Sequence, residues 1–276
     1  MESLAAVLIL VSGLAHAVVN AILKSGRDKM SGRALIDASS ALIVLPAAFF
    51  LPLPGAAWPW LAASWALHLG YLLSLIRAFE RADMSVAYPV SRGIAPALAA
   101  ALAVGVFGES VRPWTVAGIA LVSAGVLAVG LSHRSGGRGL SWALLTGAWV
   151  AAYTVVDAQG VRAAPQAATY IVWFFLTMGL GIALFFALWR GRRFLVVAAS
   201  EWRAGLSAGA LSILTWGLAL IAFRLGATPR LAALRETSVL FGAAIAVAFL
   251  GERLDRQRLA GIAAIALGAI VLVALA

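Results

Sequence analysis

Ten apolar runs, each near 20 residues long, fill almost the whole of this 276-residue chain. A helix crosses the ~30 Å hydrocarbon core of a bilayer in roughly 20 residues, so every run is long enough to span. They cover about 3–23, 33–53, 58–79, 84–107, 112–131, 140–159, 167–190, 202–224, 228–250 and 256–275. The gaps between them leave no room for a soluble domain. The runs are continuous rather than alternating, which predicts helices and not barrel strands. A soluble fold could not hide a chain that is 63% hydrophobic and 12% charged, because its exterior would remain greasy. The absence of cysteine excludes a disulfide framework. The expected fold class is all-α: a polytopic membrane protein of ten transmembrane helices.

The net charge of +10 does not form a nucleic-acid patch, since 19 of the 21 Lys and Arg residues sit in the short gaps. The gaps after odd-numbered spans hold 15 of them and those after even-numbered spans hold four. Basic residues stay on the cytoplasmic side, so both termini are expected to be periplasmic in a bacterial inner membrane. No basic segment precedes the first run, as a cleavable signal would require.

The chain also repeats itself. FGESVRPWTVAGIALVSAG at 107–125 aligns with LGERLDRQRLAGIAAIALG at 250–268, matching Gly108 with Gly251 and Glu109 with Glu252, and the same offset of 143 pairs Arg92 with Arg235. HAVVNA at 16–21 echoes YTVVDA at 153–158. The expected units are 1–135 and 136–276, five spans each. An odd number of spans per unit turns the second unit upside down, the inverted-repeat pattern of many secondary transporters. Gly118, Gly125, Gly261 and Gly268 recur on one helix face and mark the fifth and tenth spans as the seam between halves.

Two five-span halves, each closing with a GE turn before an AGI…G helix, resemble the EamA type of the bacterial drug/metabolite transporter superfamily. The strings HAVVNAILKSG, RADMSVAYPVSRGIAP, AYTVVDAQGVR and ALRETSVLFG look like a branch loosely associated with phosphonate use. The resemblance implies ten helices, alternating access and export of small metabolites such as amino acids. It supplies no substrate.

Ionisable groups inside spans are costly to bury unpaired and are functional candidates for that reason. Arg92 and Arg235 lie too deep to snorkel. Arg92 sits in YPVSRGIAP, where Pro89 and Pro96 remove backbone donors and suggest a kinked or broken helix. Tyr88, four residues earlier, shares its face. A guanidinium forks onto carboxylates, so this face suits an anionic group; the bland alternative is an ion pair that locks helices. Glu236 could pair with Arg92 or another base, or carry a coupling proton, and Asp157 is the other deep acid. Asp37 is expected near the cytoplasmic end and solvated. Ser12, His16, Asn20 and Lys24 form a polar stripe on the first span, matched by Trp149, Tyr153 and Asp157 on the sixth. Trp65, His68 and Tyr71 line one side of the third span, and Trp58, Trp60 and Trp114 read as interfacial anchors.

The substrate-binding candidates are therefore Arg92, Tyr88, His68, Tyr71, Asn20, Tyr153, Asp157 and Arg235, with Asp157 and Glu236 for coupling. No metal is expected, because His16 has no further ligand at suitable spacing, and no cofactor. Paired catalytic acids, GxSxG and HExxH are absent, which argues against an enzyme. The expectation is a monomeric secondary transporter that exports small polar or amphipathic metabolites, amino acids first, with the lipid bilayer and its solute as partners. Efflux of lipophilic cations and a passive channel-like facilitator are the alternatives, the former disfavoured by two deep arginines.

Overall fold

The computed structural model describes residues 1–25, 29–81, 84–130, 139–250 and 255–275. The described residues contain no strand; they form eleven α-helices and two short 3-10 turns. The helices are α1 (Glu2–Ser25), α2 (Lys29–Val44), α3 (Trp58–Arg81), α4 (Met84–Gly105), α5 (Pro113–Gly130) and α6 (Leu140–Ala163). They continue with α7 (Ala167–Arg190), α8 (Arg192–Leu225), α9 (Thr228–Arg235), α10 (Ser238–Leu250) and α11 (Arg256–Ala274). Eight of these are long and apolar enough to cross a membrane. The shorter apolar α5 makes a ninth span, and α9 with α10 make the tenth. On α7, Leu180, Leu184 and Leu188 recur every fourth residue and are 60%, 61% and 79% exposed. A stripe that apolar is tolerable only against lipid tails. The chain is an all-α polytopic membrane protein.

Four details depart from the sequence reading. The second span stops being α-helical at Val44, because Pro46 in the next turn has no N–H to give, and Leu45–Phe49 tighten into a 3-10 turn. Residues 192–200, expected as a gap, are helical and join α8 at a kink where Glu201 has φ −115° and ψ 15°. Of the kink or break expected in the fourth span, the break is absent: α4 continues as a helix through Pro89 and Pro96. The interruption falls in the matching ninth span, between Arg235 and Ser238. Finally, Asp37 is not solvated. It is 5% exposed and gripped by Arg33, one turn earlier on α2, through bonds of 2.9 and 3.0 Å.

Long-range helix pairs hold the bundle together. α3 packs on α6 and α8 on α1; α4 packs on α6, and α9 with α10 on α1; α5 pairs with α11 and α2 with α7. The seam glycines do what their spacing promised. A Cβ on Gly125 would lie 2.6 Å from the Gly261 carbonyl oxygen, and one on Gly268 would lie 2.9 Å from that of Gly118. Without side chains there, the α5 and α11 backbones touch, and dispersion replaces the hydrophobic effect that lipid cannot supply. Ser12 likewise faces protein, donating to the Thr215 carbonyl at 2.6 Å. The second GE pair, Gly251 and Glu252, and the Ser-Gly-Gly at 135–137 lie outside the described residues.

Candidate functional site

The break in the ninth span places two charged residues at its tip. Arg235 ends α9 and Glu236 follows it, with backbone N–H groups bonding back to Ala233 and Leu234 carbonyls instead of continuing the helix. Glu236 reaches across to α4 and pairs with Arg92: Nε donates to Oε2 at 3.0 Å, and Nη2 stands 2.8 Å from Oε1 as an ion-pair contact off hydrogen-bond geometry. Both side chains are almost completely buried. A hydrogen-bonded guanidinium–carboxylate pair offsets part of the cost of desolvating both charges. Arg92 is thus already engaged by an acid of the chain itself.

Arg235 is not. Its guanidinium lies over the Trp216 ring, 4.1 Å from the centroid, and its buried Nε has no hydrogen-bond partner. Among the described residues it makes no ion pair with an acid. A desolvated cation on an indole face gains about 2 kcal/mol, which holds the group without neutralising it. Trp216 belongs to an aromatic cluster. Tyr153 stands edge-on to it at 5.8 Å, His68 stacks on Tyr153 at 4.0 Å, and Tyr71 meets Tyr153 edge-on at 5.6 Å. Thus α3, α6 and α8 converge their aromatic faces beside the break.

Behind His68 lies Asp157, fully buried. Its Oδ1 accepts from the Tyr170 hydroxyl at 2.9 Å, while Oδ2 has no donor and sits 4.0 Å from His68 Nε2. The other imidazole nitrogen, Nδ1, is 2.9 Å from the Ser64 carbonyl. A narrow cleft with room for about one water molecule lies between α4, α6 and α9, lined by Arg92, Pro96, Val150, Thr154, Arg235 and Glu236 among others. Pro96 also frees the Arg92 carbonyl from the helix ladder, adding an acceptor near the pocket wall.

Of the residues singled out from sequence, Arg92, Arg235 and Glu236 meet at this pocket, and His68, Tyr71, Tyr153 and Asp157 form the adjoining cluster. Tyr88 is half-buried one turn before Arg92. Asn20 lies on α1, but its side chain is outside what is described. Trp216, Tyr170 and Thr154 were not foreseen; none stands out from the apolar residues around it by charge or spacing. Among the described residues, no group of three or more His, Asp or Glu could hold a metal ion.

A bundle of membrane-crossing helices, with a charge-bearing pocket beside a discontinuous one, has the architecture of a membrane transporter. The chain belongs to the EamA-like transporter family, whose profile matches residues 137–274, half of its length. A solved crystal structure is 18% identical and covers 98% of this chain and 95% of its own, with a TM-score of 0.74. At that identity the likeness is one of fold alone. No curated protein matches the chain.

Proposed function

We propose that the chain is a carrier that exports small metabolites bearing a carboxylate, amino acids first among them, by alternating access through the pocket between α4, α6 and α9. One observation supports this most: among the described residues Arg235 is a buried cation with no acid partner, beside a narrow cleft that would widen to admit a solute. A solute carboxylate would supply the missing charge and fork onto the guanidinium. The aromatic cluster gives an amphipathic solute a wall to lie against. The same charge disfavours lipophilic cations, which would meet a positive site. Proteoliposomes preloaded with unlabelled amino acids test the reading. Counterflow of the radiolabelled solute, stimulated by the internal pool, is the expected result. Leak without trans-stimulation would indicate a channel-like facilitator, and uptake confined to quaternary amines would indicate cation efflux.

Coupling, where present, is assigned to Asp157 and not to Glu236, whose carboxylate Arg92 already holds. The donor-free Oδ2 is a place for a proton to land, and His68 stands on the route to it. Asp157→Asn keeps the Tyr170 bond and the volume but cannot gain or lose a proton. It is expected to abolish stimulation by a pH gradient while substrate exchange continues. Stimulation that survives in Asp157→Asn removes Asp157 from coupling.

A further inference from the structure

The three walls of the pocket, α4, α6 and α9, run on together toward the membrane face that carries both chain termini. Arg230, in the first turn of α9, marks that face: it donates to Glu2 at 3.1 Å and to the Leu272 and Val273 carbonyls near the other terminus. Alongside the pocket and one turn beyond it, Ala99 and Ala103 of α4, Ala151 and Val155 of α6, and Ala232 of α9 form their own small buried cluster. Alanine-sized contacts make this plug thin and close-fitting, with little dispersion energy to hold it shut.

Charge closes it further out. After α4 the chain turns at Gly108, whose φ of +67° suits glycine and aims Glu109 back over the helix ends. Glu109 Oε1 accepts from Arg162 Nη1 at 2.7 Å, from the Thr228 hydroxyl at 2.7 Å and from Gln159 at 3.3 Å; Oε2 accepts from the Thr228 backbone N–H at 2.9 Å. Arg162 and Gln159 lie one to two turns beyond Thr154 on α6, and Thr228 opens α9 one turn before Ala232. Arg162 also binds the Phe223 and Gly226 carbonyls at the end of α8, and Arg224 of α8 binds those of Val161 and Ala164. The Glu109 carboxylate thereby ties α6 to α9, and Arg162 extends the hold to the end of α8. Burial alone would push the Glu109 pKa up, but the bonds from Arg162 and Thr228 outweigh it and hold the group below the ordinary carboxylate range. It is ionised at neutral pH, and its hold is lost only as pH falls through that lowered value. By contrast, α10, the other half of the ninth span, scarcely meets α4 among the described residues.

We propose that Glu109 is the latch of a gate on the termini face: with Arg162 and Thr228 it clamps the alanine plug shut, and its release opens the pocket to that face. Glu109 is a positioning residue, acting through α9, which carries Arg235 and Glu236 at its far end. The proposal deepens the carrier reading and rests on it for its purpose, but the gate can be read without substrate.

The chain has no cysteine, so Ala103→Cys places a single thiol in the plug, where Ala103 is 0% exposed. That thiol should resist a membrane-impermeant maleimide from the termini face. Adding Glu109→Gln removes the charge from the latch and should raise labelling from that face by about tenfold or more, with labelling from the opposite face unchanged. Thr228→Val, which removes one donor, should act the same way and more weakly. Vesicles of both orientations report which face responds, and the melting temperature reports folding. Unchanged labelling, or labelling raised equally from both faces, makes the cluster a static staple and overturns the proposal. Should Glu109→Gln fail to fold, Thr228→Val decides by the same criterion. Counterflow on the same vesicles keeps the two claims apart: a gate that responds in a protein showing no exchange overturns the carrier reading and leaves the latch standing.

Discussion

Replacing Glu236 with alanine is expected to destabilise the folded protein by about 3–5 kcal/mol, because it strands the Arg92 guanidinium in the membrane interior. Arg92→Ala should cost a comparable amount by stranding the carboxylate. The paired change, Arg92→Met with Glu236→Leu, keeps the volume, removes both charges and should recover most of the loss. Denaturation in detergent micelles, read as a double-mutant cycle, checks this. The cycle should show a coupling of several kcal/mol between the two positions, far beyond the ~0.5 kcal/mol scatter of independent sites. Were Arg92 instead the group that meets the solute, Arg92→Ala would remain as stable as the native protein and lose only transport. Near-native melting of either single variant would therefore dismiss the locking role.

That outcome bears on what the sequence could and could not show. Span number, membrane class and the α5–α11 seam were legible, because an apolar run of bilayer length and glycines seven apart each have few physical realisations. Arg92 and Arg235 were equally visible, being deep, charged and equivalent under the repeat. What separates them is a backbone event. The prolines of α4 advertise a break that the helix absorbs, whereas the proline-free Arg235–Ser238 stretch carries the real one. Only that break lets Glu236 turn toward α4 and leaves Arg235 facing Trp216. The sequence holds no mark of it, since the break depends on tertiary partners. Glu109 was legible as a repeat marker and not as a hub, because its partners Arg162 and Thr228 lie 53 and 119 residues away. Arg162, Arg224 and Arg230, three of the four basic residues in the gaps after even-numbered spans, each bind carbonyls at helix ends, work a guanidinium does at an interface as readily as it meets water.

Arg235→Gln is expected to leave the fold intact and to remove transport of carboxylate-bearing solutes. The fold survives because the guanidinium, among the described residues, pairs with no acid: what is lost is the contact with Trp216, worth about 2 kcal/mol, and glutamine fills much of the volume. Transport fails because a charge-assisted pair with the solute is worth about 1.5–3 kcal/mol, so the half-saturating concentration should rise about ten- to a hundredfold. Arg235→Lys should recover part of that, since a point charge attracts a carboxylate but cannot fork onto it. The decisive control is chemical. A solute and its methyl ester differ only in the carboxylate, so the native protein should prefer the free acid and Arg235→Gln should handle the two alike. A variant that still distinguishes acid from ester at the native ratio would show that another group reads the carboxylate. Arg92 would then be the remaining cation at the pocket, and the ion pair with Glu236 would have to open during each transport cycle.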